Sequence, residues 1–165
     1  MTTVYDVILD TLHERGIQFV IHEHNEVRTV AEAQENLPFP VDHLLKTIVF
    51  KIKPDRWVLV ALRGADLVDY ALLAEVLNVR RNQLHTADRD EVAEWFGVEV
   101  GSVSPIPTIE DVLVIIDANA TDLDVVYCGV GRSDRTLELR LVDLIHITGA
   151  QICAIVRDAH DDAER

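Results

Sequence analysis

Apolar positions first recur at helical spacing. Val4, Val7, Ile8 and Leu12 fall on one face after Thr3, which can cap a helix, and Gly16 stops the run. The pattern then switches to alternation over residues 17–22, where Ile17, Phe19 and Ile21 predict a strand. Thr29 opens a second helix from Val30 to Leu37; Glu32, three residues on, has the spacing of a capping box, and Pro38 and Pro40 close the segment. Two β-rich runs, 46–52 and 56–62, flank Lys53-Pro54-Asp55 and predict a hairpin that ends at Gly64. Helices capped by Asp69 (to Leu77) and by Asp88 (to Phe96, stopped by Gly97) follow. Residues 101–107 and 129–134 read as loops, 112–116, 125–128, 136–141 and 152–156 as strands, and 141–147 as a short helix.

Strands in this order do not alternate strictly with helices, which argues against a doubly wound parallel sheet. The expected fold class is α/β in the α+β manner, a mixed and mostly antiparallel sheet with helices packed outside it. No repeat or linker divides the chain, so one domain is expected over residues 1–165, with a core at about 17–156 and an acidic tail at 157–165.

Composition narrows the class. An apolar content of 48% argues against disorder, and no apolar run approaches the roughly 20 residues of a membrane span. The first residues lack the basic and apolar regions of a signal peptide, and two cysteines, Cys128 and Cys153, imply no disulfide framework, so the expected location is cytoplasmic. Both thiols read as small buried hydrophobes, Cys128 with the alternative of a reactive thiol beside a glycine-rich loop. The net charge of −14 runs against nucleic-acid binding, although Lys46, Lys51, Lys53, Arg56 and Arg63 cluster, as do Arg80-Arg81 and Arg132 with Arg135.

The chain has no phosphate-binding loop of the P-loop type and no Gly-x-Ser-x-Gly elbow. His22 and His24 share a strand face, but spacing indicates no third or fourth metal ligand. Lys46 begins the apolar run Thr47-Ile48-Val49-Phe50. It either snorkels to solvent or offers an ammonium at a pocket mouth to a phosphate or carbonyl oxygen. Gly101-Ser102-Val103-Ser104-Pro105 is either a plain connector or a loop whose backbone N–H groups bind an oxyanion, its shape fixed by Pro105. Cys128-Gly129-Val130-Gly131-Arg132 poses the same choice.

These segments together resemble the YbaK/prolyl-tRNA editing family. His24-Asn25-Glu26-Val27-Arg28-Thr29 looks like its N-terminal signature, Leu45 to Lys51 like its central Lys-Thr strand, and 101–105 like its Gly-x-x-x-Pro loop. Ile116-Asp117, Val126-Tyr127, Gly131-Arg132 and Leu137-Glu138-Leu139 follow in order. The resemblance implies a curved, partly barrel-like sheet, no metal or organic cofactor, and hydrolysis of the ester joining a mischarged amino acid to tRNA. It implies catalytic positions at Lys46, which helps hold the acceptor end, and at Gly101. It further implies substrate contacts at His24, Thr29, Thr47, Ser102, Val103, Ser104, Pro105, Gly129, Gly131 and Arg132. Expected partners are the aminoacylated acceptor end and an aminoacyl-tRNA synthetase, with neither DNA nor membrane. The low charge predicts modest tRNA affinity. Alternatives are a catalytically silent module that binds tRNA or a synthetase, and a small-molecule esterase or other metabolite binder on the same fold. The cysteine-removing subgroup usually has Asp where this chain has Thr136, and the alanine-removing one has a late histidine missing between Cys128 and Leu141, so neither label transfers.

Overall fold

The central hairpin carries the architecture, because its second strand is apolar at almost every position. Strands β2 (Leu44–Ile52) and β3 (Arg56–Arg63) pair antiparallel in the computed structural model, which describes residues 2–37 and 39–157. Pro38 and the acidic tail beyond Arg157 lie outside the described residues. In β3, Val58, Val60 and Leu62 enter one apolar cluster, while Trp57, Leu59 and Ala61 point to the opposite face. A strand covered on both faces loses the polar–apolar alternation of a half-exposed one.

The remaining elements follow the hydrophobic pattern. Helix α1 (Val4–Glu14) is capped by Thr3 in a reciprocal box with Asp6, and buries Ile8 and Leu12. Strand β1 (Phe19–Glu23) follows, then α2 (Val30–Asn36), capped by the Thr29 hydroxyl. The Glu32 carboxylate accepts from the Arg28 N–H, 3.3 Å away. Helix α3 (Tyr70–Val76) is capped by Asp69. Helix α4 (Arg89–Glu91), capped by Asp88, widens into a π-helical turn over Val92–Phe96 and stops at Gly97, whose φ is +68°. Between α3 and α4 lies a short strand, β4 (Leu84–Thr86), that no periodicity announces in three residues. Strands β5 (Val112–Asp117), β6 (Val125–Cys128) and β7 (Arg135–Arg140), helix α5 (Leu141–Thr148) and strand β8 (Gln151–Cys153) complete the order. The last strand is shorter than its apolar run. The Ile155 N–H turns to the Asp117 carboxylate, 3.1 Å away, and Val156 makes only an isolated bridge to Val68.

The sheet runs β1-β7-β6-β2-β3-β5-β8, with β4 attached to β2. Four pairings are antiparallel and three are parallel, so it is mixed, with antiparallel pairs in a narrow majority. It does not close into a barrel: β1 and β8 end the path. One edge of β2 is divided between two neighbours. β6 pairs with Leu44 and Leu45, and β4 with Phe50 to Ile52. Residues 46–48 of this otherwise central strand therefore have no strand partner on that edge, and all three are only half-buried. Helices α1 and α5 pack near the β6 and β7 end, and α3 covers the opposite face of the hairpin. No helix among the described residues is long and apolar enough to cross a membrane.

Leu62 is fully buried against α3, whereas Leu72 on α3 is 37% exposed. Leu62→Ala is expected to cost about 2–5 kcal/mol in a denaturant titration, and Leu72→Ala less than about 0.5 kcal/mol. Equal costs would mean that the hairpin face is not the core.

Candidate functional site

The gap on the β2 edge opens into a cavity of about 220 Å³. Leu44 to Ile48 form its floor. Residues of the 24–30 segment and of α2 form a second wall, the 100–103 loop a third, and the 128–136 turn a fourth. Such a volume is below the roughly 300–1,000 Å³ of sites for drug-sized ligands.

Of the residues singled out in the sequence, His24, Thr29, Lys46, Thr47, Gly101, Val103, Gly129 and Arg132 line this cavity. Ser102, Ser104, Pro105 and Gly131 do not. Ser102 and Gly131 border a more open neighbouring cavity of about 500 Å³, and the Gly131 N–H donates to the Ser102 carbonyl at 2.8 Å. The Ser104 hydroxyl is turned inward, accepting from the Ile106 N–H at 3.1 Å, and Pro105 is buried. These four hold the wall from behind.

Lys46 is half-buried, and its ammonium donates to the carbonyls of Gly64, at 3.1 Å, and of Asp66. Burial lowers its pKa below the usual lysine range, and the nearby Asp66 carboxylate opposes that shift. An ammonium has three donors, so one remains for a ligand. The Thr47 hydroxyl, also buried, has no hydrogen-bond partner among the described residues. Cys128 lines the cavity as an inert thiol: complete burial raises its pKa to about 12.

The glycines are required by the chain's own backbone. A Cβ on Gly101, whose φ is +96°, would sit 2.5 Å from the Arg28 carbonyl oxygen. One on Gly129 would collide with the Val103 carbonyl, its carbon 2.9 Å away. The close approach first ascribed to a substrate at Gly101 is thus made by the 24–29 segment. Gly101 and Val103 both line the cavity, and neither N–H makes a backbone hydrogen bond among the described residues.

The arginines at the rim are already engaged. Arg28 pairs with Glu26 and Glu99, and Arg132 and Arg135 both pair with Asp134. Hydrogen bonding to these carboxylates raises the pKa of Arg28 and Arg132 and lowers that of Asp134.

Several lining residues, among them Arg28, Ser133, Arg135 and Thr136, are given no site role by the sequence, although Thr136 marks the departure from the cysteine-removing subgroup. His24 Nδ1 lies 2.6 Å from the Asn25 carbonyl and its Nε2 lies 2.8 Å from Thr136 Oγ1. His22 contacts Glu138 instead, at 3.0 Å, so the two imidazoles serve separate pairs. The described residues hold no group of three or more His, Cys, Asp or Glu side chains able to bind a metal. The polar face of β7, Thr136 and Glu138 against Leu137 and Leu139, was the available signal.

An open mixed sheet flanked by helices thus carries a cavity at a break in its central edge. The family model described as the aminoacyl-tRNA editing domain matches residues 24–147, and the chain belongs to that family. It is 30% identical over 110 residues to the proline–tRNA ligase of Lactobacillus helveticus, covering 67% of this chain and 19% of that protein. A 28% match over 108 residues to the enzyme of Thermoanaerobacter sp. covers 66% and 19%. The chain thus spans about a fifth of these relatives. Among solved structures, "hypothetical protein APE2540" superposes with a TM-score of 0.83 at 23% identity, over 92% of this chain and 99% of that one. A structure described as a "putative trans-editing enzyme for prolyl tRNA synthetase" gives 0.77 at 20%, over 96% and 99%. Both likenesses concern the fold.

Gly101→Ala and Gly129→Ala are each expected to cost about 1–3 kcal/mol in stability. Ser102→Ala should be neutral or stabilising, because the Ser102 hydroxyl is buried without a partner. Denaturant midpoints of the three variants check this; a stable Gly129→Ala would mean that the two loops are not in contact.

Proposed function

We propose that this domain hydrolyses the ester of a wrongly attached amino acid on tRNA, within a single editing domain. One observation carries the reading. Every wall of the cavity, from His24 to Thr136, falls inside the segment matched by the editing-domain family. The aminoacyl group enters between Val27, Ala33 and Val103, and its ester carbonyl faces the free donors of the 101–103 loop and Lys46. These donors stabilise the oxyanion as water adds to the carbonyl carbon. The bond to the ribose oxygen then breaks, and that oxygen takes up a proton. The ester is already activated, so positioning can supply much of the acceleration. The likeness to proline–tRNA ligases supports a substrate connected with prolyl-tRNA synthesis and a synthetase as partner.

Lys46→Ala should lower kcat/KM for deacylation on the order of 100-fold, as loss of one oxyanion donor does, with the thermal midpoint checked in parallel. A panel of mischarged tRNAs is the assay. Full activity of the variant removes Lys46 from the site, and binding of tRNA without turnover by the wild type assigns the chain to a silent binding role.

Salt should weaken tRNA binding with a shallow slope. With Arg28, Lys51, Arg132 and Arg135 paired to carboxylates, roughly two to four phosphates are neutralised, each adding about 0.7–0.9 to the log–log slope. EDTA should leave the rate unchanged. A steep slope, or activity lost to EDTA and restored by zinc, overturns this picture.

A further inference from the structure

We propose that Thr136 and His24 form the subsite for the substrate's α-amino group, with Thr136 Oγ1 as the hydrogen-bond acceptor. The proposal rests on the reading that an aminoacyl ester occupies the cavity.

The argument starts at the Asn25 carbonyl, which can only accept. His24 Nδ1 lies 2.6 Å from it and therefore carries the hydrogen. In the neutral imidazole this leaves a bare lone pair on Nε2. Thr136 Oγ1, 2.8 Å from Nε2, must then donate its single hydrogen there. A hydroxyl has one donor and two acceptor lone pairs. With its donor spent on His24, Thr136 offers only lone pairs to whatever sits beside it. Thr136 lines the cavity and is 6% exposed, so bulk water does not compete for it.

The backbone holds this polarity in place. Thr136 lies opposite His22 in the β1–β7 ladder, and the His24 N–H continues the pairing to the Asp134 carbonyl at 3.1 Å. The Asn25 carbonyl acts as the fixed end of a relay running through the imidazole to the hydroxyl.

The rest of the lining points to the same group. No Asp or Glu lines the cavity among the described residues. Lys46 and the arginines are donors without acceptor capacity, and the other lining hydroxyls, Thr29, Thr47 and Ser133, have no histidine acceptor taking up their hydrogen among the described residues. An α-amine needs an acceptor in either protonation state, and Thr136 is the hydroxyl held as one. The ester carbonyl needs donors, which the opposite wall supplies. The two functional groups of an aminoacyl ester thereby meet complementary walls.

Two non-hydrolysable probes test this by calorimetry: 3′-(L-alanylamino)-3′-deoxyadenosine, and the 3′-propionylamino compound that lacks only the α-amine. Wild-type protein should prefer the alanyl probe about 10- to 100-fold, the range of a hydrogen bond to a charged group. Thr136→Val should abolish the preference while leaving propionyl affinity within about twofold, and Thr136→Ser should keep it. Should Thr136→Val fail to fold, Thr136→Ala, which only deletes atoms, takes its place. Retention of the preference without the hydroxyl overturns the proposal. So does an equal loss for both probes, which marks a structural role. Equal binding of the two probes by the wild type sinks the amine subsite and leaves the editing reading standing; failure of both to bind sinks the two together.

Discussion

The sharing of one β2 edge between β6 and β4 is the constraint on which the site depends. A strand at the centre of a sheet normally spends every backbone group on its neighbours. Here β6 reaches only Leu44 and Leu45, and β4 only Phe50 to Ile52. The interval between them is where the cavity forms, and it puts Lys46 and Thr47 on a strand fixed along its other edge by the full hairpin. A side chain borne on such an element is positioned more accurately than one on a free loop. The strand is central for stability and open for chemistry over the same few residues.

Electrostatics reconciles an acidic chain with the anionic substrate proposed for it. The rim arginines Arg28, Arg132 and Arg135 are tied to Glu26, Glu99 and Asp134, which are not among the cavity's lining residues. The net charge of −14 therefore does not fill the site with negative groups. What faces the ligand is a set of fixed dipoles and one partly desolvated ammonium, whose contribution in a half-buried site exceeds that of exposed charges. On the proposed function, specificity then rests on the acyl end and affinity for the polynucleotide is modest.

Much of the fold was legible in the sequence, because its signals are local. Thr3, Thr29, Asp69 and Asp88 all cap helices, and the Lys53-Pro54-Asp55 link joins a hairpin. The strand β4 was not legible, since three residues carry no period, and neither was the early end of β8, which is set by Asp117 from another strand. The site divides in the same way. Lys46 announces itself as a cation opening an apolar run. Thr136 does not, because a threonine on the polar face of an alternating strand is ordinary until the fold brings His24 to 2.8 Å from it. Ser102 and Ser104 show the converse: polar residues in a suggestive loop that are buried in the fold.

The glycines connect these levels. Gly101 and Gly129 were read as openings for a substrate, and the structure shows their space taken by the carbonyls of Arg28 and Val103. The two readings are compatible once the order of cause is reversed. Backbone contact between the loops at residues 24–29, 99–105 and 129–134 removes their freedom to rearrange, and with it the reorganisation that a flexible wall would need when charge develops on a bound carbonyl. The N–H groups of Gly101 and Val103 have no backbone partner among the described residues. On the reading proposed above, close packing of backbone against backbone holds this wall ready for an acceptor, while the Thr136 side opposite it is held, through His24, in the reverse sense.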